Sequence, residues 1–115
     1  MSGNHVFEGG VTGIVRQRIN NAAAAGDTAV VAAAAGKTCR VFGLRISVAG
    51  ATVVQIKSSG GTVLEVLNFA AATPPVVYPL RGSPYHLSVQ GEGITINSSA
   101  AVQVDGVLEY SNAGA

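Results

Sequence analysis

From Thr38 onward, apolar and polar side chains alternate with a period of two, broken every eight to twelve residues by small Gly/Ala/Ser turns. That period marks strands with one buried and one wet face, and no segment carries a helical stripe. The Ala22–Ala25 and Ala32–Ala35 runs favour helix by composition. Gly26 and Gly36 end them at once, however, and four residues are too few to nucleate one. The first reads as a loop and the second as the end of a strand.

Because a one-residue slip moves every side chain to the wrong face, register can be argued from the pattern. Phe42, Leu44, Ile46 and Val48 form the inner face of a first strand. A two-residue loop at Ala49-Gly50 would set Leu44 against Gln55. A three-residue loop, Ala49-Gly50-Ala51, sets Ile46 against Val54 and Leu44 against Ile56. With Ser59-Gly60-Gly61 as the next loop, Ile56 faces Leu64, Val54 faces Val66, and Gln55 faces Glu65 on the outside. Strands near 38–48, 52–58 and 62–69 are therefore expected as a meander, each loop carrying the Gly that such hairpins favour.

The C-terminal third repeats the pattern. Tyr85, Leu87 and Val89 alternate with His86, Ser88 and Gln90. A turn at Gly91-Glu92 pairs Val89 with Ile94 and Leu87 with Ile96. A loop at Ser98–Ala100 sets Ile96 against Val102 and Ile94 against Val104. Asp105-Gly106 resembles a hairpin turn, but a turn there would put Gln103 opposite Leu108. Read straight through, Val102, Val104, Leu108 and Tyr110 share a face, with Gly106 as a bulge or close-contact site. Thr28–Ala34 and Val76–Arg81 complete the set, the latter at a sheet edge because Pro79 lacks a ladder N–H.

About eight antiparallel strands over residues 27–115 must bury their faces against one another. The expected fold is all-β, in one domain: an antiparallel β-sandwich, jelly-roll-like, with a closed barrel as the alternative and the strand order left open by the pattern. Residues 1–26, with five glycines and no sustained alternation beyond Val11–Ile19, read as an extended N-terminal arm. The arm reads either as a disordered tail or as a segment that orders on a neighbouring subunit, and its apolar content tilts the reading to the second.

Charge narrows the partners. Lys and Arg number 7 against 6 Asp and Glu, a net +1, which excludes a nucleic-acid footprint. Charged residues make up 11%, against about 25% in ordinary soluble domains. A surface so poor in charge is expected to be covered by copies of the chain or by a larger assembly. The longest run free of polar side chains, Ala29–Gly36, is far below the ~20 residues that cross a bilayer, so no membrane partner is expected. The residues Met1–Glu8 hold no basic region followed by an apolar stretch, and the chain is expected to fold in a cytoplasm.

Candidate chemistry is sparse. A single cysteine, Cys39, excludes an internal disulfide and a Cys-based zinc site. It reads as a packed, inert thiol. Glu65 is expected to face outward and Glu92 to sit at a turn tip, which leaves no carboxylate pair for glycoside hydrolysis. His86, beside Ser88 and across from Asn97, reads as a solvated strand histidine, lacking the acid and oxyanion hole that a triad needs. No catalytic residue, cofactor or metal is expected. Only copies of His5 or His86 meeting on an oligomer axis would offer a metal site. Tyr85 and Tyr110 fall on core faces, which leaves Phe7, Phe69 and Tyr78 as aromatics free to stack on a sugar.

Association is the remaining chemistry. On the arm, Val11, Ile14, Val15 and Ile19 supply apolar contact, and Arg16 and Arg18, two apart, point the same way toward an acidic protein surface. Val41, Val53, Val63 and Leu67, opposite the first meander's core stripe, are the candidate oligomer face.

One resemblance is carried by Gly26-Asp27-Thr28-Ala29-Val30-Val31-Ala32-Ala33, by Gly36-Lys37-Thr38-Cys39-Arg40-Val41, and by the closing Val104-Asp105-Gly106-Val107-Leu108-Glu109-Tyr110. In texture, over about residues 26–112, the chain resembles the small all-β virion proteins of tailed bacteriophages, especially capsid decoration (cement) proteins. The resemblance implies a virion location, with assembly in the host cytoplasm. It also implies a homo-oligomer, often a trimer, seated on the major capsid protein or another virion protein and bracing the shell. The arm lies outside it and would suit a tail or fibre component as well. A carbohydrate- or receptor-binding β-sandwich module is the alternative, and no functional residue is carried across.

Overall fold

The computed structural model describes residues 13–114. They form nine strands: β1 (Val15–Asn20), β2 (Gly26–Val31), β3 (Lys37–Val48), β4 (Thr52–Ser58), β5 (Val63–Phe69), β6 (Thr73–Tyr78), β7 (His86–Leu87), β8 (Ile94–Ser98) and β9 (Val104–Gly114). Two antiparallel sheets pack face to face, as expected. One has the order β1-β9-β3-β6, with β7 also on β3; the other has the order β2-β8-β4-β5.

The pairings are nested: β4 with β5, β3 with β6 and β7, β2 with β8, and β1 with β9. The chain is thus one long antiparallel ribbon closed at its tip by residues 59–62 and wrapped so that successive rungs lie in opposite sheets. Ladders β3–β9 and β4–β8 stitch the wrapped ribbon together. Between the sheets lie Ile19, Val41, Leu44, Ile46, Val54, Ile56, Ile94, Ile96, Val104 and Leu108, each nearly or wholly buried.

Three expected hairpins are replaced by crossings. β3 and β4 do not pair; Ala49–Ala51 carries the chain from one sheet to the other, and Ala49 N–H donates to Gln103 O at 2.9 Å. β7 and β8 likewise lie in different sheets, as do β8 and β9. The alternation fixes which face a residue occupies, not its neighbour. Ile46 and Ile56 belong to one core from opposite sheets, and the same pattern would have served side by side.

The β4–β5 hairpin forms, but its register slips. Beside the loop Lys57 faces Val63; beyond an irregularity Ile56 faces Glu65 and Val54 faces Leu67. The slip turns Glu65 and Leu67 inward, against the expectation for both. A second irregularity between Val41 and Gly43 does the same in β3. Val41 and Cys39 enter the core at 0% exposure, while Phe42 is buried outside the core cluster. Phe69, expected outside the core, is in it.

Around β7 the expected faces are exchanged: Leu87 and Val89 are exposed and Ser88 is buried. The cause is hydrogen bonding to β3. Ser88 N–H donates to Cys39 O at 2.9 Å, and Ser88 Oγ accepts from Cys39 N–H at 2.8 Å. The ladder thereby overrides the apolar pattern.

Other expectations hold in part. β6 is an edge strand, but it runs Thr73–Tyr78 rather than Val76–Arg81 and leaves Pro79 outside; β9 runs unbroken through Gly106. A Cβ at Gly106 would overlap the Arg45 carbonyl, so only glycine lets β9 lie this close to β3. Within the stretch expected as an extended arm, Val15–Asn20 is an edge strand paired with β9 over six positions.

Candidate interaction surfaces

β1 places Arg16 and Arg18 on the outer face of its sheet, side by side as expected, because residues two apart on a strand share a face. β9 meets them with carboxylates: Arg16 Nε lies 3.6 Å from Glu109 Oε2, and Arg18 Nη2 lies 3.1 Å from Asp105 Oδ1. The pair is therefore an internal ion-pair ladder rather than two free cations. Ile19 is corrected as well: at 0% exposure it belongs to the core and cannot reach a partner. Ile14 is half-buried and Val15 exposed. Val11 lies outside the described residues.

The same outer face holds a groove of about 170 Å³ between β1, β9, β3 and the end of β6. Arg16, Arg45, Val77, Leu80, Val107 and Glu109 line it. Arg45 stands between Val107 and Val77 in register, with Arg18 in the same row beyond Val107. Arg45 is exposed and, among the described residues, has no carboxylate within ion-pair distance.

The outer face of the second sheet is different in kind. Val53, Val63 and Val66 point outward from β4 and β5; Val63 and Val66 are 45% and 46% exposed. Gln55, Asn97 and Thr95 lie on the same face. Among the described residues its one ion pair joins Lys57 Nζ to Asp27 Oδ1 at 3.2 Å, and Asn97 donates to the same oxygen at 2.7 Å. The Asn97 amide first, then Lys57, holds the Asp27 carboxyl below its usual range. Of the four residues expected on an oligomer face, Val53 and Val63 are there. Val41 is in the core of the opposite sheet, and Leu67 packs against the core from within.

A third cluster was not foreseen. Glu65, turned inward by the β5 irregularity, meets His86 of β7 across the open side of the sandwich, Oε1 to Nε2 at 2.8 Å. The approach is close but out of line for a hydrogen bond, and Nε2 has no other partner among the described residues. Tyr78 OH donates to Glu65 Oε2. Burial, then this carboxylate, pushes the Tyr78 hydroxyl up to about 12. Tyr85 lies 5.1 Å from Tyr78 between ring centroids and donates to Pro79 O at 2.7 Å. The Arg81 guanidinium sits 3.7 Å over the Tyr85 ring. His86 is thus an inter-sheet contact rather than a solvated residue, and the signal for it was Glu65 standing within the apolar run Val63–Leu67.

Two remaining groups are held by internal contacts. Glu92 sits at a turn as expected, its N–H donating to Val89 O at 3.0 Å, and its carboxylate accepts from Ser58 Oγ at 2.5 Å and from Gly60 N–H at 2.8 Å, clasping the ribbon's tip. Cys39 is buried, and desolvation pushes its thiol up to about 12, which keeps it protonated and unreactive near neutral pH. Among the described residues no three His, Cys, Asp or Glu side chains gather to hold a metal. No family model matches the chain, and no curated protein matches it.

Proposed function

We propose that the chain is a non-enzymatic structural protein of a virion, a capsid decoration or cement protein that associates with copies of itself and braces the shell by binding the major capsid protein. A trimer is the form that the resemblance to tailed-phage decoration proteins implies. The nested strand order supports a jelly-roll reading, and jelly rolls recur in viral capsid and lectin domains. The observation that carries the proposal is the outer face of the β2-β8-β4-β5 sheet. There Val53, Val63 and Val66 stand among amides and hydroxyls with, among the described residues, a single ion pair. Such a face is suited to burial between subunits, because little charge must be desolvated. Multivalent seating would then raise avidity for a lattice without stronger single contacts.

Co-sedimentation with shells assembled from the major capsid protein of the same genome tests it. Saturable retention on the shells is the expected result, and a chain that stays in the supernatant refutes the proposal.

The lectin alternative draws on the same strand order and on the Tyr78–Tyr85 pair. The rings are already engaged, however: Arg81 covers a face of Tyr85, and Tyr78 is bound to Glu65. A glycan array separates the two, since sugar binding would favour a receptor module and silence the structural protein.

A further inference from the structure

We propose that the outer face of the β1-β9-β3-β6 sheet docks an acidic segment of a different protein, with one carboxylate seated in the groove beside Arg45. This goes beyond the virion reading and does not depend on it, because the face's own chemistry selects the partner.

All seven Lys and Arg residues lie within the described region. Arg16, Arg18 and Lys57 have carboxylate partners, and Arg81 lies on Tyr85. Lys37, Arg40 and Arg45 have none among the described residues, and all three are exposed on β3. Arg45 is the one that opens into a groove, between Val77 and Val107, which Leu80 also lines. Glu109 also lines that groove, but Arg16 is its counter-ion, which leaves Arg45 as the cation to be answered. An exposed guanidinium flanked by apolar walls suits a carboxylate on a segment that also carries small apolar side chains.

The chain's own acids argue against a second copy as occupant. Each described carboxylate is engaged: Asp27 with Lys57 and Asn97, Glu65 with His86 and Tyr78, Glu92 with Ser58 and Gly60, Asp105 with Arg18, and Glu109 with Arg16. Antiparallel pairing of two β1 edges centred on Gln17 would set Arg16 against Arg18, and like charges directly opposite are destabilising.

The test is an NMR titration of the isotope-labelled protein at low salt with the peptide acetyl-Val-Glu-Val-Glu-Val-amide. Its lysine counterpart and inorganic phosphate serve as comparisons. Shift changes should centre on Arg45, Val77 and Val107, fade as salt is raised, and be absent with the lysine peptide. R45E, at an exposed position, should keep the native spectrum and weaken peptide binding by about tenfold or more. Several outcomes would overturn the proposal. They are no shifts at millimolar peptide, equal shifts from the lysine peptide or from phosphate, unchanged affinity in R45E, and shifts at these residues that follow protein concentration alone.

Discussion

His86 Nε2 stands 2.8 Å from Glu65 Oε1, tying β7 of one sheet to β5 of the other. The two side chains are 11% and 25% exposed, so removing either leaves a polar group with little water to replace its partner. E65Q and H86A are each expected to lower stability by about 1–3 kcal/mol. The double variant should lose less than their sum, with a coupling of about 1 kcal/mol. Urea denaturation of the four proteins measures it, and strict additivity would break the link.

Gly106 brings β9 against the Arg45 carbonyl of β3, where a Cβ cannot fit. G106A must push the two longest strands apart and is expected to cost about 2–4 kcal/mol. Thermal or urea unfolding checks it; a loss below about 0.5 kcal/mol, the range of neutral surface changes, would mean that β9 does not lie so close.

The faces of β3, β4, β8 and β9 were legible because a period of two admits one buried side whatever the strand order. Strand partners were not, since residues such as Ile46 and Ile56 satisfy the same pattern across a core as they do side by side. Two local irregularities, at Val41–Gly43 and at Ile56–Lys57, then exchanged faces for Val41, Glu65 and Leu67. No composition rule marks such a position in advance. Of the candidate interface, Val53 and Val63 were readable as outward valines. The free cation at Arg45 was not, because it emerges only once Asp105 and Glu109 are seen to be committed to Arg18 and Arg16.

The turn from β1 to β2 stores strain in two alanines. Ala22 and Ala23 have φ of 53° and 57°, a region that costs a side-chain-bearing residue about 1–2 kcal/mol. Asn21 holds the turn in place. Its Oδ1 accepts from Val104 N–H at 2.8 Å and from Ala23 N–H at 3.1 Å, and its amide donates to Val102 O at 2.8 Å. A23G should raise stability by about 0.5–1 kcal/mol, the relief of strain exceeding the added freedom of the unfolded chain. N21A should lower it by about 2–3 kcal/mol. Calorimetry on both variants decides, and a destabilised A23G would contradict the strained turn.

Acid should weaken the fold through Glu92 and Asp27. Hydrogen bonds from Ser58 and then Gly60 hold the Glu92 carboxyl below its ordinary 4.5, and those from Asn97 and Lys57 hold Asp27 below 3.8. A lowered native value means that the unfolded chain binds protons first. The stability contributed is therefore whole above the ordinary values and lost as pH falls through the native ones. Tm should drop as pH is lowered past about 4.5, and E92Q should flatten that slope without altering it near neutrality. An unchanged acid slope in E92Q would remove Glu92 from the explanation.

Mass in solution is the most direct check on the proposal that the chain associates through the valine-rich outer face of β4 and β5. Size-exclusion chromatography with light scattering at micromolar concentration should return a whole multiple of 11.5 kDa, three by preference, and V63E/V66E should return the single chain. A wild-type protein that elutes at 11.5 kDa under the same conditions would contradict the proposed role.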